Sequence, residues 1–323
     1  MSYTNNRNLL KPNADQIKAA LLRSLNLPSL CMGLASVMAG CVAAYVHNNF
    51  QLLPALVCAV FVCMAQITAN ISYKYFALLH NFGEGTDNTG HTWRETLLPV
   101  YKAVSVGLLL VTVLIGLAIM ELSGWWSIGL AAIIVLLAWM DMAPPLALVR
   151  TPFGILITFL LFGPVGVIGS SLAQSQMGTM IPFNEFDLMP AMILSLRVGL
   201  MMVCCHLSFC YVAYRYDLRN SKRTFTVTFG RKVARATYLA CAILAYFIFF
   251  WMCLALDFRY VVIDMIPPTI YTLWLVRIWW YMGHGTHKKE LIVKGTLYAT
   301  LAVTFVNFIL FNIIQIPDWM QGM

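Results

Sequence analysis

Side chains able to do chemistry are scarce in this chain and gather in two stretches. One runs from Lys74 to Tyr101 and contains HNFGEGTDNTGHTWRE; the other runs from Tyr214 to Arg235 and reads YRYDLRNSKRTFTVTFGRKVAR. Tyr73, Tyr75, Tyr211, Tyr214 and Tyr216 crowd the entry to both. Such rings line an aromatic site, stabilise a cation, or form an interfacial belt. Cys204-Cys205-His206 followed by Cys210 looks metal-like. Soft-metal sites, however, draw spaced ligands from two elements. On one apolar helix these read as small buried thiols. His80, His91, His284 and His287 sit at span ends as polar surface groups. Arg197 falls inside an apolar run, where a charge normally faces a cavity or a partner.

The elements that position these residues are membrane helices. Of 323 residues, 60% are hydrophobic and only 11% charged, with mean hydropathy +0.77. Soluble domains carry about 25% charged residues, so a water-soluble enzyme, a disordered chain and a collagen-like fibre are excluded. Apolar runs long enough to cross a bilayer recur near 27–46, 51–72, 98–120, 124–142, 152–173, 188–212, 236–256, 260–282 and 293–315. The expectation is an all-α, multi-pass protein of nine transmembrane helices forming a single domain over residues 1–323. Residues 1–24 are its polar, cytoplasmic N-terminal segment. No cleavable signal peptide is expected, because the first apolar run lacks a small-residue cleavage site. The second run continues to about residue 80, so that helix projects past the membrane. Pro144-Pro145 ends the fourth span, and Phe162-Gly163-Pro164 kinks or breaks the fifth.

Charge sets the orientation. The net charge of +8 comes from 21 Lys+Arg against 13 Asp+Glu. With nine spans nearly all the basic residues fall on one side, and the other side holds Arg259. Basic residues mark cytoplasmic loops. The N-terminus is therefore cytoplasmic, the location is the cell (inner, cytoplasmic) membrane, and polar chemistry faces the cytoplasm at the ends of spans two and six. With no soluble surface to carry it, nucleic-acid binding is excluded. Paired broken helices and midplane charge pairs, the marks of a transporter, are not evident.

Several segments, in order, resemble the UbiA superfamily of intramembrane prenyltransferases. Asp217-Leu218-Arg219-Asn220-Ser221-Lys222-Arg223-Thr224-Phe225-Thr226-Val227, then Gly230, is similar to the family's D-x-x-x-G-K-R-T-L-x-V-x-x-G. Gln66-Ile67 with Asn70 is similar to Q-I-x-x-N, and Gly85-Thr86-Asp87 to the G-x-D that follows. Phe162-Gly163-Pro164-Val165, with Gly169, resembles F-G-P-L-x-x-x-G, and Arg23-Ser24-Leu25-Asn26-Leu27-Pro28 resembles R-P-x-T-L-P. The branch that makes menaquinone, the 1,4-dihydroxy-2-naphthoate polyprenyltransferases (MenA-like), looks closest. The resemblance implies nine helices with the N-terminus inside. It also implies transfer of a polyprenyl group from its diphosphate to an aromatic acceptor in quinone-type lipid synthesis. Mg2+ held by two aspartate-rich motifs would clamp the diphosphate.

The chain departs from those motifs. Against N-x-x-N-D-Y-x-D it reads Asn70-Ile71-Ser72-Tyr73-Lys74-Tyr75-Phe76-Ala77; against N-N-x-R-D-x-x-x-D it reads Phe209-Cys210-Tyr211-Val212-Ala213 and then Asp217. Three of the four principal aspartates are absent, and Asp217 is left as a weak metal ligand. Asp87, Glu84 and Glu95 lie near enough in sequence to substitute. Alternatively Lys74, with Arg215, Arg219, Lys222 and Arg223, holds a diphosphate directly as an anion pocket without metal; or Lys74 only snorkels to the cytoplasmic interface or pairs with Asp217, and the basic loop serves topology and anionic lipid. Two outcomes stay open: an active prenyltransferase with a rebuilt or metal-free site, or a degenerate, non-catalytic member. The second would bind prenyl lipid or quinone, or serve as a membrane partner subunit. Its partners are membrane lipids and, if active, the diphosphate and the acceptor. The oligomeric state is not legible.

Overall fold

Asn13 caps the first helix. Its side chain accepts from the Gln16 amide at 2.8 Å and the Gln16 side chain accepts from the Asn13 amide at 3.0 Å, a reciprocal capping box. A computed structural model describes residues 12–46, 50–80, 91–124, 126–175, 188–255, 261–284 and 289–314. Helix α1 (Ala14–Ser24) lays Ile17, Ala20 and Leu21 on Ile71, Leu97 and Tyr101. The Ser24 hydroxyl meets the Tyr101 hydroxyl at 2.6 Å. Helix α1 is thus docked on the bundle.

The remaining helices are α2 (Leu30–Val46), α3 (Leu52–Leu79), α4 (His91–Ser123), α5 (Trp126–Met142), α6 (Gly154–Leu160), α7 (Gly169–Ser175), α8 (Met189–Arg219), α9 (Phe225–Ala255), α10 (Val261–Asp264), α11 (Ile266–Gly283) and α12 (Lys289–Ile314). A π-helical stretch, Leu161–Ile168, joins α6 to α7. Among the described residues seven helical segments are long and apolar enough to cross a membrane. Two more apolar helices, Leu30–Val46 and Ser127–Met142, are shorter. The 17-residue α2 rises about 26 Å, at the lower edge of a bilayer span. Lipid-facing surface is plainest on α4, where Leu110 and Leu114 are more than 60% exposed.

Helix α8 runs through the middle of the bundle and is its most buried apolar segment. Close approach to it depends on glycine. A Cβ on Gly163 would stand 2.6 Å from the Ser195 carbonyl oxygen and 2.9 Å from Gly199 Cα. Phe162-Gly163-Pro164 does not break its helix; the ladder widens into the π-helical stretch, which absorbs the proline's missing donor. Pro144-Pro145 does end α5 at Met142.

The second polar stretch is less loop-like than the sequence suggests, while α3 projects as the sequence predicts. Helix α3 reaches Leu79, and α8 reaches Arg219, well past residue 212. Residues 220–224 alone separate α8 from α9. Helix geometry continues because the carbonyls pair within the helix while polar side chains reach the interface. Gly230, with φ 86°, interrupts α9, a backbone conformation that suits glycine.

Candidate functional site

Helical periodicity brings one face of each of α2, α3, α5 and α8, and of the π-helical stretch, onto a shared cavity of about 560 Å³. On α3 the facing residues include Val62, Gln66, Asn70 and Tyr73 with Lys74; on α8 they include His206, Cys210, Ala213 and Asp217. Both series step by three or four, the spacing of a single helix face. The volume falls within the range of about 300–1,000 Å³ usual for ligand cavities. The walls are mainly apolar, with a cationic end where α3 meets the α8–α9 turn.

That end is built around Asp217, which is buried. Its backbone carbonyl accepts from the Lys222 amide at 2.8 Å. Its Oδ2 accepts from the Thr224 hydroxyl at 3.2 Å. Its Oδ1 lies 3.9 Å from Lys222 Nζ. Lys222 Nζ also stands 5.2 Å from the centre of the Tyr73 ring, and Lys74 Nζ stands 5.8 Å from the same ring. Two ammonium groups therefore share one aromatic ring. Ser221 turns the chain with φ 52°. Arg150 Nη2 donates to the Asn220 carbonyl at 3.0 Å, pinning the turn from the α5–α6 connection.

A second set of polar residues also lines the cavity. The Thr158 hydroxyl and His206 Nδ1 are 3.0 Å apart. Asp141 on α5 and Gln66 on α3 also line the cavity. Asp141 Oδ1 and Gln66 Oε1 are buried without a hydrogen-bond partner among the described residues. A buried acceptor left unmet costs about 1–3 kcal/mol, so each calls for a donor from whatever enters. Lys222 acts electrostatically on both Asp141 and His206.

Of the residues expected from sequence, Asn70, Lys74, Asp217 and Lys222 line the cavity. Asn70 is partly engaged as a clamp: its Nδ2 donates to the Leu25 carbonyl at 2.9 Å and the Ser29 hydroxyl at 3.1 Å, tying α3 to the connection between α1 and α2. Arg215, Arg219 and Arg223 are exposed and do not line this cavity. At about 100° per residue, Arg215 and Arg219 fall off the α8 face that carries Ala213 and Asp217. Asp87 and Glu84 lie outside the described residues. Tyr73 and Tyr216 line the cavity; Tyr211 and Tyr214 instead lie under the Arg231 guanidinium, at 5.1 and 4.7 Å.

Arg197 does not line the cavity. It is buried, 3.9 Å over the Phe249 ring. Oriented as its neighbours require, the Asn307 amide oxygen accepts from Arg197 Nη1 at 3.0 Å and Nη2 at 3.2 Å. Cys204 and Cys205 are fully buried and turn to different helices, toward the Tyr238 carbonyl and the Thr300 hydroxyl. Sequence reasoning passed over Asp141 and weighed His206 only as part of the metal-like cluster with Cys204, Cys205 and Cys210, not as a cavity residue. Asp141 carried a signal, because it is the lone charge in the fourth apolar run.

The described residues do not fit a magnesium ion held by aspartate motifs. No three His, Cys, Asp or Glu side chains converge among them. Asp217, the expected metal ligand, faces an ammonium and a hydroxyl donor instead. A hard divalent cation draws about six oxygen ligands, and positive charge already occupies this end.

No family sequence profile matches the chain, and no curated protein does. Solved structures do. An apo UbiA homologue from Aeropyrum pernix K1 is similar at a TM-score of 0.64 and 16% identity, over 88% of this chain and 98% of that one. A UbiA homologue from Archaeoglobus fulgidus, bound to DMAPP and Mg2+, is similar at 0.56 and 13%, over 91% and 99%. A digeranylgeranylglyceryl phosphate synthase is similar at 0.57 and 15%, over 90% and 98%. Over about nine-tenths of its length, this chain has the fold of the UbiA homologues.

Proposed function

We propose that the chain is a UbiA-type prenyltransferase that holds a polyprenyl diphosphate with ammonium groups in place of a metal and presents it to an aromatic acceptor. The observation that carries this is Lys222, held between Asp217 and the Tyr73 ring at the polar end of an otherwise apolar cavity. The diphosphate sits at Lys222 and Lys74, where charge-assisted contacts reach an anion directly. The isoprenoid tail lies along the apolar walls. Asp141 and the Thr158–His206 pair face the acceptor, and Asp141 Oδ1 takes a hydroxyl donor from it. Transfer breaks the allylic carbon–oxygen bond, the electron pair leaving with pyrophosphate; the acceptor ring forms the new bond to that carbon, and the substituted ring carbon then releases its proton to water, restoring aromaticity. The acceptor belongs to the quinone-precursor class, the nine apolar helices all span, the N-terminus is cytoplasmic, and the cavity opens to the cytoplasm.

The second reading is a protein that binds prenyl lipid without transferring it. It is favoured by the same ion pair, since Asp217 is committed to Lys222 and brings no free carboxylate to a metal. A transfer assay on the purified protein separates the two. Labelled polyprenyl diphosphates are offered with a panel of hydroxylated aromatic acceptors, with Mg2+ or with EDTA. Product in EDTA supports the first reading. Tight diphosphate binding without product, beside an active control enzyme, supports the second.

A further inference from the structure

Away from the cavity, α9 carries a stripe of another character. Lys232, Arg235, Ala236, Leu239, Ala240 and Ile243 recur at three- and four-residue steps and, with Trp279 of α11, line a groove of about 410 Å³. Two cations stand at one end and only apolar residues follow. Ala236 and Ala240 are exposed and small, and form its floor.

Arg235 is held in place. Its guanidinium carbon lies 4.9 Å from the centre of the Trp279 ring, and Nη2 donates to the Trp279 carbonyl at 3.4 Å. A Cβ on Gly283 would stand 2.2 Å from Nη2, so the glycine leaves the space that the guanidinium fills. Arg235 Nε is buried and has no hydrogen-bond partner among the described residues. A donor fixed in this way calls for an acceptor, and Lys232 one turn away adds a second positive charge. At about 1.5 Å per residue the run from Lys232 to Ile243 spans about 16 Å, close to the ~15 Å depth of one leaflet.

The geometry points to a binding site for an anionic phospholipid. The headgroup phosphate rests on Arg235 and Lys232, and one acyl chain lies along Ala236, Ala240 and Ile243 against Trp279. Basic recesses between membrane helices recognise anionic headgroups in this way. The site stands apart from the cavity and does not depend on prenyl transfer.

Native mass spectrometry of the full chain in detergent tests it, with dioleoyl phosphatidylglycerol and dioleoyl phosphatidylcholine as probes. The wild type retains the anionic lipid in preference, and Lys232→Gln with Arg235→Gln lowers that preference by roughly 30-fold, about fivefold per charge. Ala240→Phe, at an exposed position, keeps both charges and fills the groove. It weakens retention of the dioleoyl lipid and leaves dihexanoyl phosphatidylglycerol unaffected. Lys222→Gln, in the cavity, leaves the preference intact. Equal retention of the two lipids by the wild type overturns the proposal. So does a preference that survives the double substitution, or one that is lost in Lys222→Gln.

Discussion

Lys222 and Asp217 face each other across the turn between α8 and α9, with Nζ 3.9 Å from Oδ1 and the Lys222 amide bonded to the Asp217 carbonyl at 2.8 Å. The aspartate therefore fixes the lysine twice, through backbone and side chain. Thr224 occupies the other carboxylate oxygen. A residue that resembles a metal ligand in sequence serves here to aim an ammonium into a cavity.

Lys222→Gln removes the charge proposed to hold the diphosphate. Binding of geranylgeranyl diphosphate, followed by calorimetry in detergent, should weaken about 10-fold to 100-fold, the range for losing a charged hydrogen bond. Arg223→Gln changes the neighbouring residue, which is exposed and outside the cavity, and should shift affinity by less than about threefold.

Asp217→Asn separates the two roles an aspartate can have here. Losing the partner of a largely buried lysine should lower stability by about 1–3 kcal/mol, read as a fall in melting temperature. Diphosphate affinity at low temperature should hold or rise, because Lys222 gains freedom to face the ligand. A metal ligand would show the opposite, with affinity abolished.

Tyr73 carries two ammonium groups over its ring. Tyr73→Phe keeps the ring and should preserve diphosphate affinity. Tyr73→Leu loses the cation–π attraction, which is about 0.5–1 kcal/mol per exposed pair, and should weaken affinity by about two- to fivefold per ammonium.

Two glycines distinguish packing from propensity. Gly163→Ala drives a Cβ to 2.6 Å from the Ser195 carbonyl oxygen and should destabilise the protein by about 1–3 kcal/mol. Gly107→Ala on α4 meets nothing within 4 Å and should be neutral or stabilising by up to about 1 kcal/mol. Melting temperatures of the two variants in one detergent should move in opposite directions, or only the first should move.

Apolar runs in the sequence place every long helix, because hydropathy over some twenty residues is a strong signal. The prolongation of α3 to Leu79 was legible too, from its mixed but helical character. The extension of α8 to Arg219 was not, because charged residues beyond the hydrocarbon read equally well as loop. Motif order found Asn70, Lys74, Asp217 and Lys222, all on the cavity wall. It did not separate Lys222 from Arg215, Arg219 and Arg223, since composition counts charge while helix phase decides direction. Asn307, the partner of Arg197, lies on another helix more than a hundred residues away, and no local pattern announces it.

The most direct test of the account is the metal dependence of diphosphate binding. Geranylgeranyl diphosphate is titrated into the wild type and into Lys222→Gln, each in EDTA and in Mg2+. The account predicts wild-type affinity that EDTA leaves within about twofold, and a loss of about 10-fold or more in Lys222→Gln under either condition. Binding that requires Mg2+ and survives Lys222→Gln would contradict it.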